Sequence, residues 1–250
     1  MKIYVIGPDG YVGSNLIKEL NRQEREVVTV GRDDDFTIFS KTSDKDVVIN
    51  CAGTGMKPVK PSPEAYLAEN VLLPVKIAKF AAWRGVKMIH LSSYFEFFQH
   101  DIYTKSKSLA SEILKTKNNV SLVYLYNVYG RKEYPNRFFS GIKDAIINNK
   151  TFILTTPGAC RSLVHIDHVV VALNEIIDKP VATYHLTDGN YTTMSAIVQD
   201  IKAVFPQFKC EIKDIGPKKD YSIECYRPSN PYFKKLDLMG DIKADVKCEV

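Results

Sequence analysis

Apolar residues gather in short runs at 2–6, 26–30, 46–51, 87–91 and 121–125, rich in Val, Ile and Tyr. The first of these runs alternate little, as expected of strands covered on both faces. Between several of them apolar residues recur with helical spacing, at 11–21, 64–83 and 103–116. Strand and helix in alternation predict a parallel sheet with helices on both faces, an α/β doubly wound fold of the Rossmann type. Past Gly130 the rhythm loosens. Helices are predicted at 136–149, 167–178 and 193–205, and strands at 151–155 and 182–187. The tail from Gly216 holds three prolines and shows no clear period. Residues 1–130 thus read as the core, and 131–250 as a small C-terminal lobe interleaved with the end of the core sheet, giving it one or two strands.

Composition narrows the function classes. The 250 residues are 45% hydrophobic and 25% charged, ordinary for a globular chain. The net charge of +5 is mild and scattered, so it makes no basic stripe for nucleic acid. The lysine-rich stretch 202–219 is broken by acids and prolines and reads as solvated surface. Five widely spaced cysteines, none in CxxC spacing, predict neither a zinc cluster nor a disulfide framework, and no metal site is expected. The opening apolar stretch is too short for a signal peptide, and no run nears the ~20 residues of a membrane span. A cytoplasmic enzyme without a membrane partner is the expectation.

Gly7-Pro8-Asp9-Gly10-Tyr11-Val12-Gly13 follows the first predicted strand directly and opens a helix. Gly7 suits a tight turn, Gly10 a close backbone approach to a pyrophosphate, and Gly13 close packing of helix on strand. The helix start offers free N–H groups and the positive dipole end to phosphate. Asp9, Tyr11 and Val12 belong to the same candidate NAD(P) cradle. The second strand ends at Gly31-Arg32. An acid there suits the ribose hydroxyls of NAD, whereas Arg32 suits the 2′-phosphate of NADP. NADP is therefore the first expectation and NAD the second, with Asp33–Asp35 following Arg32 at once.

Tyr103 and Lys107 form a YxxxK pair, and at helical spacing they share a face. An ammonium near a phenol favours phenolate, lowers the tyrosine pKa from ~10 and yields an acid/base group usable near neutral pH. Ser92 and Ser93 end the strand before it.

In these marks the chain resembles the extended short-chain dehydrogenases/reductases, the epimerase/dehydratase branch that acts on nucleotide sugars. Further marks are Asn50-Cys51-Ala52-Gly53, Asn70, Asn127-Val128-Tyr129-Gly130 and Arg161-Ser162-Leu163-Val164-His165-Ile166-Asp167. The resemblance implies that Tyr103 moves the proton, that Lys107 orients the nicotinamide ribose and activates Tyr103, and that Ser93, more than Ser92, hydrogen-bonds the reacting oxygen. It adds Cys51, Ala52, Gly53, Asn70, Asn127 and Tyr129 to the cofactor side. On the substrate side it adds Tyr94, Asn136, Arg161 and, more loosely, Arg227, the arginines for a diphosphate. It implies a substrate-binding role for the C-terminal lobe and allows a homodimer. His165 reads as structural rather than catalytic.

Two departures stand out. Ser93 and Tyr103 lie only ten positions apart, shorter than the family's loop, although nine residues can span ~30 Å. The chain also stops soon after Leu238, which leaves a small lobe. Dehydratases of the branch carry an acidic pair directly after the catalytic hydroxyl. Tyr94 and Phe95 stand there instead, with Glu96 one step on and expected to point elsewhere. A C4-epimerase retains NAD, which Arg32 disfavours. The expectation is an NADPH-dependent reductase of a nucleotide-linked 4-keto-6-deoxy sugar, similar to deoxysugar synthases, with an epimerase second. A non-catalytic NADP-binding regulator is the competing class, but such proteins lose the Tyr–Lys pair.

Overall fold

The computed structural model describes residues 1–32, 34, 36–55, 61–98, 101–135, 137–216, 227–233 and 235–249. The chain divides into two compact units, Met1–Leu125 with Val170–His185, and Tyr126–Val169 with Leu186–Val250.

The first unit runs β1 (Lys2–Ile6), α1 (Tyr11–Arg22), β2 (Glu26–Val30), β3 (Val47–Asn50), α2 (Pro63–Leu67), α3 (Leu73–Trp83), β4 (Lys87–Ser93), α4 (Ile102–Lys115) and β5 (Val120–Leu125). The helix expected at 64–83 is one rod with a π-turn at Ala68–Leu72 joining α2 to α3. β6 (Asn127–Tyr129), α5 (Phe138–Ile147), β7 (Thr151–Leu154), β8 (Cys160–Arg161) and β9 (Leu163–His165) follow in the second unit. α6 (Ile166–Ile177) then begins in the second unit and ends in the first, and β10 (Thr183–Leu186) completes the large sheet. β11 (Thr192–Thr193), α7 (Met194–Val204), β12 (Lys209–Ile212) and α8 (Leu238–Glu249) close the second unit.

The six-stranded sheet has the order β10-β5-β4-β3-β1-β2. The pairs β1/β2, β1/β3, β3/β4 and β4/β5 are parallel. Ile3, Val5, Ile49, Ile89 and Val123 are each wholly buried, worth about 1.5–3 kcal/mol apiece. That burial explains why these runs are mostly apolar. Having set β2 on one side of β1, the chain returns to set β3 on the other. Ligands of such sheets bind at this reversal, beyond the carboxyl ends of the strands. Right-handed crossovers then put α1 on one face and α3 and α4 on the other.

The second unit packs α5, α7 and α8 around Tyr129, Phe139, Ile142, Ile197, Ile201, Ile242 and Val246. Its strands pair two by two, β6 with β9 and β7 with β12 in parallel, β8 with β11 antiparallel. One expectation is corrected here: the tail read as without period carries α8. The stretch read as solvated is mostly exposed, and within it β12 pairs with β7. Among the described residues no helix is long and apolar enough to cross a membrane.

Candidate functional site

The glycine turn closes on itself at the carboxyl end of β1. The Gly7 N–H bonds the Val30 carbonyl at 3.1 Å, and the Gly10 N–H bonds the Gly7 carbonyl at 3.3 Å. Gly7 has φ +78°, and a Cβ there would stand 2.8 Å from the Ala52 backbone. A Cβ on Gly13 would collide with the Gly7 carbonyl oxygen. Among the described residues a Cβ on Gly10 would meet only that same oxygen, at 3.4 Å. No side chain caps the start of α1. Tight beneath and set at the start of a helix, the turn fits the diphosphate of a dinucleotide.

Beside it, the strand-end segment after β3 is pinned by two amides. Asn50 accepts from the Ala52 N–H at 3.1 Å, while its own NH2 faces His90 Nδ1 at 3.0 Å. His90 is thereby an acceptor at Nδ1 and neutral. Burial, then the Lys107 charge, holds its pKa well below the usual histidine value. Asn70, in the π-turn and fully buried, accepts from the Thr54 N–H at 2.8 Å and donates to the Thr54 carbonyl at 2.9 Å and to Ser106 Oγ at 3.0 Å. Thr54 also bonds Glu69, which pairs with the exposed Arg32 at 3.5 Å. At Gly53, where φ is +155°, a Cβ would stand 2.9 Å from Asn70 and 3.2 Å from Lys107 Nζ. Only glycine lets the backbone pass between them.

Lys107 is buried on α4 and donates to the Leu91 carbonyl at 3.2 Å. Its pKa is pushed down to about 8, chiefly by burial, against the opposing pull of Glu96 and Cys51. Burial also pushes the Cys51 thiol up to about 12. Tyr103 lies one turn before Lys107, its ring 6.2 Å from that of Tyr66, and its carbonyl accepts from Ser106. Asp101 caps α4 by accepting from the Thr104 N–H at 2.8 Å.

Ser93 ends β4 and accepts from the Phe95 N–H at 3.3 Å. Its neighbour Ser92 turns the other way and donates to Glu96 at 2.7 Å. Glu96 is indeed aimed elsewhere: it faces Ser92 and Ser111. Tyr94 is completely buried against Phe95 and Phe98 and presents no surface to a ligand.

The remaining candidates belong to the second unit. Asn127 bonds the Ser162 carbonyl through both its backbone and its side chain. Tyr129 is buried on Phe139 and donates its hydroxyl to Asp241 of α8 at 3.1 Å; burial, then Asp241, holds the phenol well above its ordinary pKa. Arg161 is buried in β8 and donates to the Cys160 carbonyl. Arg227 is exposed and stacks over the Tyr191 ring at 4.8 Å. His165 takes the Asp167 N–H on Nδ1 and gives Nε2–H to Asp245, a buried structural tie. Asn136 lies outside the described residues, as do Asp33 and Asp35. Among the described residues no cluster of His, Cys, Asp or Glu could hold a metal. Sequence reading passed over Thr54, Ser106 and His90, whose only signal was polarity inside otherwise apolar or helical runs.

Residues 3–190 match the model of the NAD dependent epimerase/dehydratase family. The chain belongs to that family. This epimerase/dehydratase chain is 24% identical to CDP-abequose synthase of Yersinia pseudotuberculosis over 93% of each chain. It shares its fold with MoeE5 in complex with UDP-glucuronic acid and NAD, at TM-score 0.79 and 17% identity over 99% and 98% of the two chains. The UDP-glucuronic acid 4-epimerase from Bacillus cereus in complex with UDP-glucuronic acid and NAD aligns at TM-score 0.78 and 14% identity, again over 99% and 98%.

Proposed function

We propose that this family member reduces a nucleotide-linked 4-keto-6-deoxy sugar at the expense of NADPH. The observation that carries the choice of reaction is the strand end after Ser93. A reductase needs only a hydroxyl, the Tyr–Lys pair and a reduced cofactor, whereas a dehydratase needs a further acid and base. Positions 94 and 95 are aromatic, Tyr94 is packed away, and the nearby carboxylate of Glu96 is engaged by Ser92 and Ser111. The likeness to CDP-abequose synthase supports the sugar class.

Gly7, Asp9, Gly10, Tyr11, Val12 and Gly13 would hold the cofactor diphosphate. Cys51, Ala52, Gly53 and Asn70 would line its path, and Arg32 would meet a 2′-phosphate. When bound, the reduced cofactor supplies hydride. Lys107 binds the nicotinamide ribose and raises the acidity of Tyr103. Ser93 donates to the ketone oxygen, and Tyr103 passes its phenolic proton to that oxygen as negative charge develops there. Arg161 and Arg227 are assigned to the nucleotide diphosphate, with Asn127 and Tyr129 shaping the second unit, a substrate-binding lobe on this reading.

A second reading keeps NAD. Asp34 stands at the end of β2, where its carboxylate accepts from the Gly31 N–H at 2.6 Å, and a carboxylate at this end suits unphosphorylated ribose. The fold relatives above carry NAD in their complexes. The test of the reaction is NADPH and NADH oxidation against a panel of nucleotide 4-keto-6-deoxy sugars. Consumption with at least one of them is expected; interconversion of C4 epimers without net cofactor consumption would replace the reductase by an epimerase.

A further inference from the structure

We propose, on the reductase reading above, that Glu96 is a positioning residue: it joins the end of β4 to α4 and from that place supports the charge on Lys107. The chain between Ser93 and α4 is short, and its first four residues, Tyr94–Phe97, form a single 3-10 turn. That turn brings Glu96 back over the strand it has just left. Glu96 Oε2 lies 2.7 Å from Ser92 Oγ and 3.0 Å from Ser111 Oγ, and the two hydroxyls lie 3.1 Å apart. Ser92 directly precedes Ser93. Ser111 is one turn past Lys107 on α4, at the i+4 position. One carboxylate thus joins the strand end that carries the hydroxyl to the helix that carries the Tyr–Lys pair.

The two serines are buried and Glu96 is half-buried, so breaking the triad leaves the serine hydroxyls without water. Its surroundings also give it an electrostatic role. Lys107 is faced by Glu96 from the turn, Cys51 from the end of β3 and His90 from β4. Glu96 is faced by Ser92, Ser111, Tyr124 and Lys115. Of these groups Glu96 is the leading one that favours the Lys107 ammonium against burial. An ammonium is what a ribose hydroxyl and a tyrosine need beside them, so Glu96 keeps Lys107 charged further up the pH scale.

Glu96→Gln separates charge from tether, because its amide oxygen still accepts from both serines. The Lys107 side chain is followed by NMR in protein carrying 13C-labelled lysine, its signal assigned by its loss in Lys107→Met. The midpoint is expected to fall by about half a unit or more in Glu96→Gln. Ser111→Ala keeps the carboxylate and should move it less. The alkaline limb of NADPH affinity should fall in step with the NMR midpoint. A purely structural role would lower stability and leave the midpoint alone. An unchanged midpoint in a folded Glu96→Gln protein overturns the proposal whatever the protein reduces. A lowered midpoint in a protein that reduces no keto sugar keeps Glu96 as the tuner of Lys107 and overturns only the reductase reading.

Discussion

Asn70 clasps Thr54 from both sides, accepting its N–H at 2.8 Å and donating to its carbonyl at 2.9 Å. The clasp fixes the strand-end segment that borders both the glycine turn and Lys107. It is made from a π-turn, a local widening that α-helices often carry at functional sites, and this widening breaks the helical spacing at the very residue that works. Asn70→Ala strands two buried backbone groups and the Ser106 hydroxyl. A loss of about 3 kcal/mol in urea denaturation is expected, with cofactor affinity falling as well. A stability change within ~0.5 kcal/mol would mean that the segment holds itself.

Gly13 offers a sign test. Within a helix, Ala is ordinarily about 1 kcal/mol better than Gly. Here the added methyl meets the Gly7 carbonyl oxygen, so Gly13→Ala is expected to destabilise, on the order of 1–3 kcal/mol, and to weaken cofactor binding. A stabilised variant with intact cofactor affinity would show that the turn is looser than its geometry says.

Lys107 gives a pH signature. Its folded pKa, about 8, lies below its ordinary value of 10.5. Between these values the unfolded chain holds more protons, so this group makes stability rise with pH across that window. The rise is on the order of 3 kcal/mol. Below pH 8 the burial cost is paid in full. Lys107→Met should flatten this part of the profile relative to the parent, whose other groups cancel in the comparison. Urea denaturation from pH 7 to 10.5 reads it directly, and parallel profiles would refute it.

Cofactor choice rests on Arg32, which is exposed and paired with Glu69. Calorimetric titration should show NADPH binding more tightly than NADH, and Arg32→Asp should move the preference toward NADH. Tighter NADH binding in the parent would assign the end of β2 to Asp34 instead.

Most of the first unit was legible in the sequence because β1, β3, β4 and β5 are buried on both faces and its helices are amphipathic. The runs at 2–6 and 26–30 coincide with β1 and β2, and that at 87–91 falls two residues short of the end of β4. Of the second unit, α5, β7 and α7 were legible within the expected 136–149, 151–155 and 193–205, and the rest was not, for two physical reasons. β8, β9 and β11 are two or three residues long, too short to show a period. α8 buries Ile242 and Val246 at helical spacing, but Asp245 between them is buried too, held by His165, and Asp241 is taken by Tyr129 and His168. Acids facing the core erased the stripe. The glycine turn and the Tyr–Lys pair announced themselves by spacing. Thr54, Ser106 and the Glu96 tether did not, because their roles depend on residues 15 or more positions away or on a turn with no pattern of its own.

The most direct test is NADPH oxidation by the parent and by Tyr103→Phe on a nucleotide 4-keto-6-deoxy sugar that the parent reduces. The ring and its contact with Tyr66 remain in the variant, and the phenolic proton is gone. Loss of a general acid is worth ~10²–10⁴-fold, so turnover should fall by at least about a hundredfold while NADPH affinity barely moves. Full turnover in Tyr103→Phe would contradict the assignment of the proton to Tyr103.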